Sequence, residues 1–170
     1  MENQSDIVQV LLVHGCDKEE KVHLDHGGLS GSYRPLHLAV AKTKGNIVRK
    51  LCAQGCDKEA TEEFTYNELS GSFTPLQLAI ILNNVEMVNA LLEEGCNIHK
   101  IRPLIHKNKK CHYSPLHLAV ALNHIEVTEV LLHKGCNKEA EATTGTRYTS
   151  MRAIHIAVLM KKTQHKQSPI

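Results

Sequence analysis

The sequence predicts an all-α repeat solenoid, helix pairs stacked one on the next and joined by long hairpin-like connectors, and two recurring motifs predict it. The first is Pro35-Leu36-His37-Leu38-Ala39-Val40, repeated as Pro75-Leu76-Gln77-Leu78-Ala79-Ile80 and Pro115-Leu116-His117-Leu118-Ala119-Val120, with a degenerate copy at Ala153-Ile154-His155-Ile156-Ala157-Val158. Its step is 40, 40 and then 38 residues. The second is an apolar run closed by Gly-Cys, at Gly15, Gly55, Gly95 and Gly135, again at a step of 40. Self-similarity at a fixed period marks an architecture in which each unit buries its apolar face only against its neighbours.

Within a unit the first motif reads as a short helix. Thr74 or Ser114 can cap it, and the proline that follows suits the first helical position, where a missing N–H costs nothing. Arg34 and Arg152 break that cap pattern. The second motif, for example Val85 to Leu92, carries apolar residues at helical spacing and stops at a glycine able to take the left-handed conformation. The array divides into a partial unit at 1–34 (second helix plus connector), repeats at 35–74, 75–114 and 115–152, and a partial unit at 153–170 (first helix plus tail). Neither partial unit looks like a cap, so self-association or a longer array is expected to cover them.

These residues resemble the ankyrin repeat family, whose units open on a T-P-L-H-x-A motif and close on L-L-x-x-G-A. The distance from proline to glycine, 20 residues in each complete unit, matches the family. Glycine to the next proline is also 20, so each connector is about seven residues longer than a 33-residue unit provides. The resemblance implies β-hairpin connectors, a small buried residue at Cys16, Cys56, Cys96 and Cys136, and a structural role for His37, His117 and His155, with Gln77 as substitute, in binding backbone of the neighbouring hairpin. It also implies that the two residues after each opening motif, Ala41-Lys42, Ile81-Leu82, Ala121-Leu122 and Leu159-Met160, lie where partners are touched. Three of these pairs are apolar, an interaction stripe if exposed, unless the hairpins cover it with Tyr33, Phe73 and Tyr113.

Composition narrows function mainly by exclusion. With 20 basic and 18 acidic residues the net charge is +2, which gives no global attraction to nucleic acid or membrane. No signal-peptide pattern and no apolar run of membrane length occurs, so an intracellular protein without membrane insertion is expected. The cysteine ladder cannot share one zinc, because stacked helices lie roughly 8–10 Å apart while Zn–S bonds are about 2.3 Å. Cys52 reads as core. Cys111-His112 is the only pair suggestive of a metal, with a histidine from elsewhere. No nucleophile elbow, phosphate loop or paired carboxylates suggest an enzyme, a cofactor or a small-molecule substrate.

Charge is uneven along the chain. The connector from Asp57 to Thr74 is acidic, whereas the next carries Lys100, Arg102, Lys107, Lys109 and Lys110 unopposed. These neighbours either attract one another or leave Arg102, Lys107, Lys109 and Lys110 to bind an acidic partner. The expectation is a non-catalytic scaffold that binds a protein through its concave hairpin and first-helix surface. The alternatives are a structural spacer in a larger protein, or nucleic-acid or metal binding through the basic loop Lys107 to His112, with nucleic acid the least favoured.

Overall fold

In a computed structural model, which describes residues 2–144 and 149–164, the chain forms a ladder of helix pairs with a sheet along one side. Helix α1 (Glu2–Val13) leads into the hairpin β1 (Val22–His26) and β2 (Leu29–Tyr33). Helices α2 (Pro35–Ala41) and α3 (Gly45–Ala53) follow, then β3 (Glu62–Tyr66) and β4 (Leu69–Phe73). The third round is α4 (Pro75–Ile81), α5 (Val85–Glu93), β5 (Arg102–His106) and β6 (Lys109–Tyr113). The chain continues through α6 (Pro115–Ala121), α7 (Ile125–His133), β7 (Ala142–Thr144), β8 (Thr149–Met151) and α8 (Ala153–Gln164).

The helical punctuation acts where the motifs place it. Pro35, Pro75 and Pro115 each open a first helix, and the Thr74 and Ser114 hydroxyls accept from the backbone N–H three residues on. Arg34 caps nothing with its side chain. Gly15, Gly55, Gly95 and Gly135 all have φ between +72° and +82°, and the cysteine after each donates back across the last turn, as Cys96 N to Leu91 O at 3.1 Å. This is the Schellman closure that a left-handed glycine permits. Cys56, Cys96 and Cys136 are buried as small apolar groups, whereas Cys16 is exposed.

The all-α expectation is overturned by the connectors. They form one eight-stranded antiparallel sheet in the order β1 to β8. Each hairpin pairs internally, Glu62 opposite Phe73 and Tyr66 opposite Leu69, and also pairs with the next, Gly31 opposite Phe64 and Ser70 opposite Ile105. The extra connector residues are what make this possible, because five-residue strands reach far enough from the helices to find the neighbouring hairpin. Tight turns close them. Gly27 and Gly28 both have positive φ, as do Lys107 and Asn108, the mirror-image turn that fits the strand twist.

Alternation along the strands gives the sheet two unlike faces. In β4, Leu69 and Phe73 are buried against the helices, while Ser70 and Ser72 are partly open. Tyr33, Phe64, Phe73, Leu104 and Tyr113 join the same core cluster as Leu76, Leu78, Met87, Leu91 and Leu118. Tyr33 and Phe64 meet edge to face at 4.8 Å between ring centres.

Gly31 marks the tightest joint between hairpins. A Cβ there would stand 2.2 Å from Glu63 O and 2.5 Å from Phe64 Cδ1, a clash that backbone cannot yield to cheaply. Gly31→Ala is therefore expected to lower stability by about 1–3 kcal/mol, read as a urea midpoint, while Ser30→Ala on the open face changes it by less than about 0.5 kcal/mol.

Candidate interaction surface

The outward rows of the sheet form a surface that the helical motifs do not foretell. His23 stands opposite Ser32, Glu63 opposite Ser72, and Pro103 opposite His112. A second row runs Asp25, Ser30, Thr65, Ser70, Ile105 and Lys110, each opposite the next across the strands. Serine and threonine on β2, β3 and β4 keep the middle low, and Ile105 and Lys110 stand up beside it. The result is an open groove of about 690 Å³. Its hydroxyls are partly committed, since Ser72 donates to the Glu63 carboxylate and Thr143 Oγ1 lies 2.9 Å from His112 Nδ1.

The base of the sheet is held by ion pairs and imidazoles. Arg34, read from sequence as a broken cap, donates through Nε to Glu62 at 2.6 Å and through Nη1 to Glu19 at 2.8 Å, and Lys21 reaches Glu62 at 3.0 Å. Burial by itself would raise the Glu62 carboxyl, but the hydrogen bonds from Arg34 and Lys21 bring it below its ordinary value. His37 Nε2 is 3.1 Å from Phe73 O, and His117 Nε2 is 3.1 Å from Ala140 O. A carbonyl only accepts, so Nε2 carries the proton in both. Ser114 Oγ then serves Nδ1 of His117 at 2.6 Å. With arginine in place of that hydroxyl, Nδ1 of His37 is left buried without a partner.

Two members of this set depart from expectation. Gln77 does not reach the next hairpin: its carbonyl oxygen accepts from Thr74 N at 3.1 Å, closing a capping box on its own helix. His155 is exposed, and its Nδ1 accepts from Arg152 N at 3.1 Å.

The remaining residues singled out from sequence separate into three groups. Ile81 and Ala121 are buried and Leu82 and Leu122 half-buried against the core, so an open apolar stripe is not what the middle units present. First helices stack side by side there, α4 between α2 and α6. Leu159 is exposed on α8, and the side chain of Met160 lies outside the described residues. Tyr33, Phe73 and Tyr113 are buried at strand ends.

The basic connector meets its acidic neighbour. Lys100 pairs with Glu59 at 3.6 Å and Lys107 with Glu68 at 3.9 Å, solvent-exposed pairs worth little each. Arg102 donates to Glu59 O at 3.4 Å. Among the described residues no ion pair engages Lys109 or Lys110, and Lys110 lines the groove. Cys111 is buried while His112 is exposed on the other face of β6, so adjacent residues on one strand cannot converge on a metal.

A family model of ankyrin repeats, in three copies, matches residues 1–102 and 36–142. The chain belongs to the ankyrin repeat family. No curated protein matches it. Ankyrin repeats generally mediate protein–protein interactions and are typically non-enzymatic. Among the described residues no helix is long and apolar enough to cross a membrane. Relative to an ankyrin unit of about 33 residues, the added length lies in the strands that line the groove. The alternation Leu69-Ser70-Gly71-Ser72-Phe73 was the available signal for it.

Burial pushes His37 down from 6.5 to about 4, and lowers His106, His117 and His124 as well. Between those two values the unfolded chain binds the proton and the folded chain does not. Stability is therefore full above pH ~6.5 and falls as pH drops toward 4. The His37 contribution is on the order of 3 kcal/mol across the window. His37→Gln is expected to flatten this part of the profile in urea titrations at stepped pH.

Proposed function

We propose that this ankyrin repeat protein is a non-catalytic scaffold that captures a protein segment in the groove on the outer face of its sheet. The observation that carries the reading is the continuity of that face: hairpins pair edge to edge, so one surface spans every unit. Ile105 and Pro103 offer apolar area, the serine and threonine rows offer donors and acceptors, and Lys110 offers a cation. A segment with an apolar side chain flanked by a carboxylate fits these groups. Affinity would come from the apolar contact, and specificity from the charged rim.

An intracellular setting is part of the same proposal, supported by six cysteines that are all free, the usual condition of cytosolic thiols.

The test is capture from cell extract by the intact chain and by Ile105→Asp and Lys110→Glu, with Glu126→Lys on the outer side of α7 as control. The two groove variants are expected to lose at least tenfold in affinity for the captured protein, about 1.4 kcal/mol, with unchanged helical circular dichroism. Equal capture by all four chains, or loss only in Glu126→Lys, overturns the reading.

A further inference from the structure

The structure repeats one inter-unit clasp and then presents it once more with nothing in it. After each Gly-Cys comes a turn in which Asp or Asn accepts from the N–H two residues on, as Glu19 N to Asp17, Glu59 N to Asp57 and Glu139 N to Asn137. The turn aims a Lys-Glu pair at the next second helix. Lys18 Nζ donates to Gln54 O at 2.5 Å while Glu19 Oε1 accepts from Asp57 N at 2.9 Å. One unit on, Lys58 donates to Glu94 O and Glu59 Oε1 accepts from Asn97 N at 2.8 Å. The third unit has Ile98 and His99 instead and makes no such clasp. The fourth restores the pair as Lys138-Glu139.

Glu139 is also poised as Glu19 is. Glu19 Oε2 holds Arg34 Nη1 at 2.8 Å, leaving Oε1 for the next unit, and Glu139 Oε2 holds Arg152 Nη1 at the same 2.8 Å. Among the described residues nothing bonds Glu139 Oε1 or Lys138 Nζ. In the two working clasps the occupant is always the stop of a second helix, a carbonyl just before the glycine and an N–H two residues after it. Two second helices have both groups unused among the described residues: α7, with Lys134 O and Asn137 N, whose neighbour in the stack is the Ile98-His99 turn, and α1, with His14 O and Asp17 N, which has no turn of a preceding unit beside it among the described residues.

The apolar surfaces agree. On α1, Ile7 and Leu11 are 53% and 48% exposed, whereas Met87 and Leu91, the equivalent residues of α5, are both 0%. On α8, Ile154 and Val158 are 66% and 57% exposed, against 1% and 0% for Leu76 and Ile80 of α4. Among the described residues no first helix lies against α1 and no second helix against α8. Each face offers the half that the other is without. Charge agrees too: residues 1–20 hold five acidic side chains and one lysine, and residues 152–170 hold four lysine and arginine side chains and no acidic one.

We propose that the chain joins itself head to tail, α1 of one copy packing beside α8 of another and the Lys138-Glu139 clasp closing on its His14-to-Asp17 turn. The two faces differ, so the contact is heterologous and builds rings or filaments, not a closed two-fold dimer. It uses surfaces away from the groove, so neither test decides the other.

The experiment is light scattering on the eluting full chain across a range of concentrations, with Leu11→Asp, Val158→Asp and Lys138→Ala. Both first positions are solvent-exposed, so folding is expected to persist, checked by circular dichroism. The parent is expected to gain mass with concentration and to lose it in high salt. Leu11→Asp and Val158→Asp are each expected to run as monomers, and Lys138→Ala to need roughly tenfold more protein for the same mass. Mixed in equal parts, the two aspartate variants each retain one sound face and are expected to form a dimer and nothing larger. A parent that stays monomeric at every concentration overturns the proposal, as does a mixture that stays monomeric or single variants that still assemble.

Discussion

Everything in this molecule depends on the pairing of one hairpin with the next. A helix pair of seven and nine residues is too short to be stable alone, and its apolar face needs a neighbour on either side. Backbone pairing between β2 and β3, between β4 and β5 and between β6 and β7 sets the spacing at which those faces meet. Gly31 shows how close the joint is, since even a methyl group would strike the adjoining backbone. In the third hairpin the corresponding place is Cys111, buried and opposite Thr144.

The imidazoles translate that spacing to the helices. By donating to Phe73 O, His37 ties the first turn of its helix to the end of the following hairpin, and His117 makes a similar tie two hairpins further along, to Ala140 O just before β7. Burial keeps these donors neutral, against the carbonyls they bond, which favour the charged form. In the unit between, Gln77 turns inward to cap its own helix, and the joint there relies on strand pairing and packing. The repeats are thus alike in outline and unequal in their fastenings.

The helical halves were legible because their signals are local. Proline at the first position, leucines at helical spacing and a glycine stop all lie within 20 residues, and the structure puts helices there. The strands were harder to see. Leu69 to Phe73 alternates over only five residues, and its partners Ile105 and His106 lie about 35 positions away, so the alternation acquires meaning only after the units are stacked. The same reason governs the apolar pairs: Ile81 and Ala121 look like surface on an isolated helix and become core when first helices pack side by side. Cys111 and His112 suggest a metal only while their segment is read as loop. Arg34, by contrast, looked like a missing cap and is an ion-pair centre whose partners, Glu19 and Glu62, come from two different connectors. The charge opposition between connectors was visible in advance, since the acidic and basic runs are one repeat apart.

The regular step has a last consequence, for how the chain comes to be folded. Among the described side-chain hydrogen bonds, the farthest-separated partners, Lys50 and Ser5, are 45 residues apart. Nothing requires remote segments to meet before structure begins, so ordering can start at any unit and spread, which favours fast assembly. A chain built this way emerging from the ribosome can lay down each rung as soon as the next forty or so residues are free, and under tension it should give way rung by rung instead of all at once.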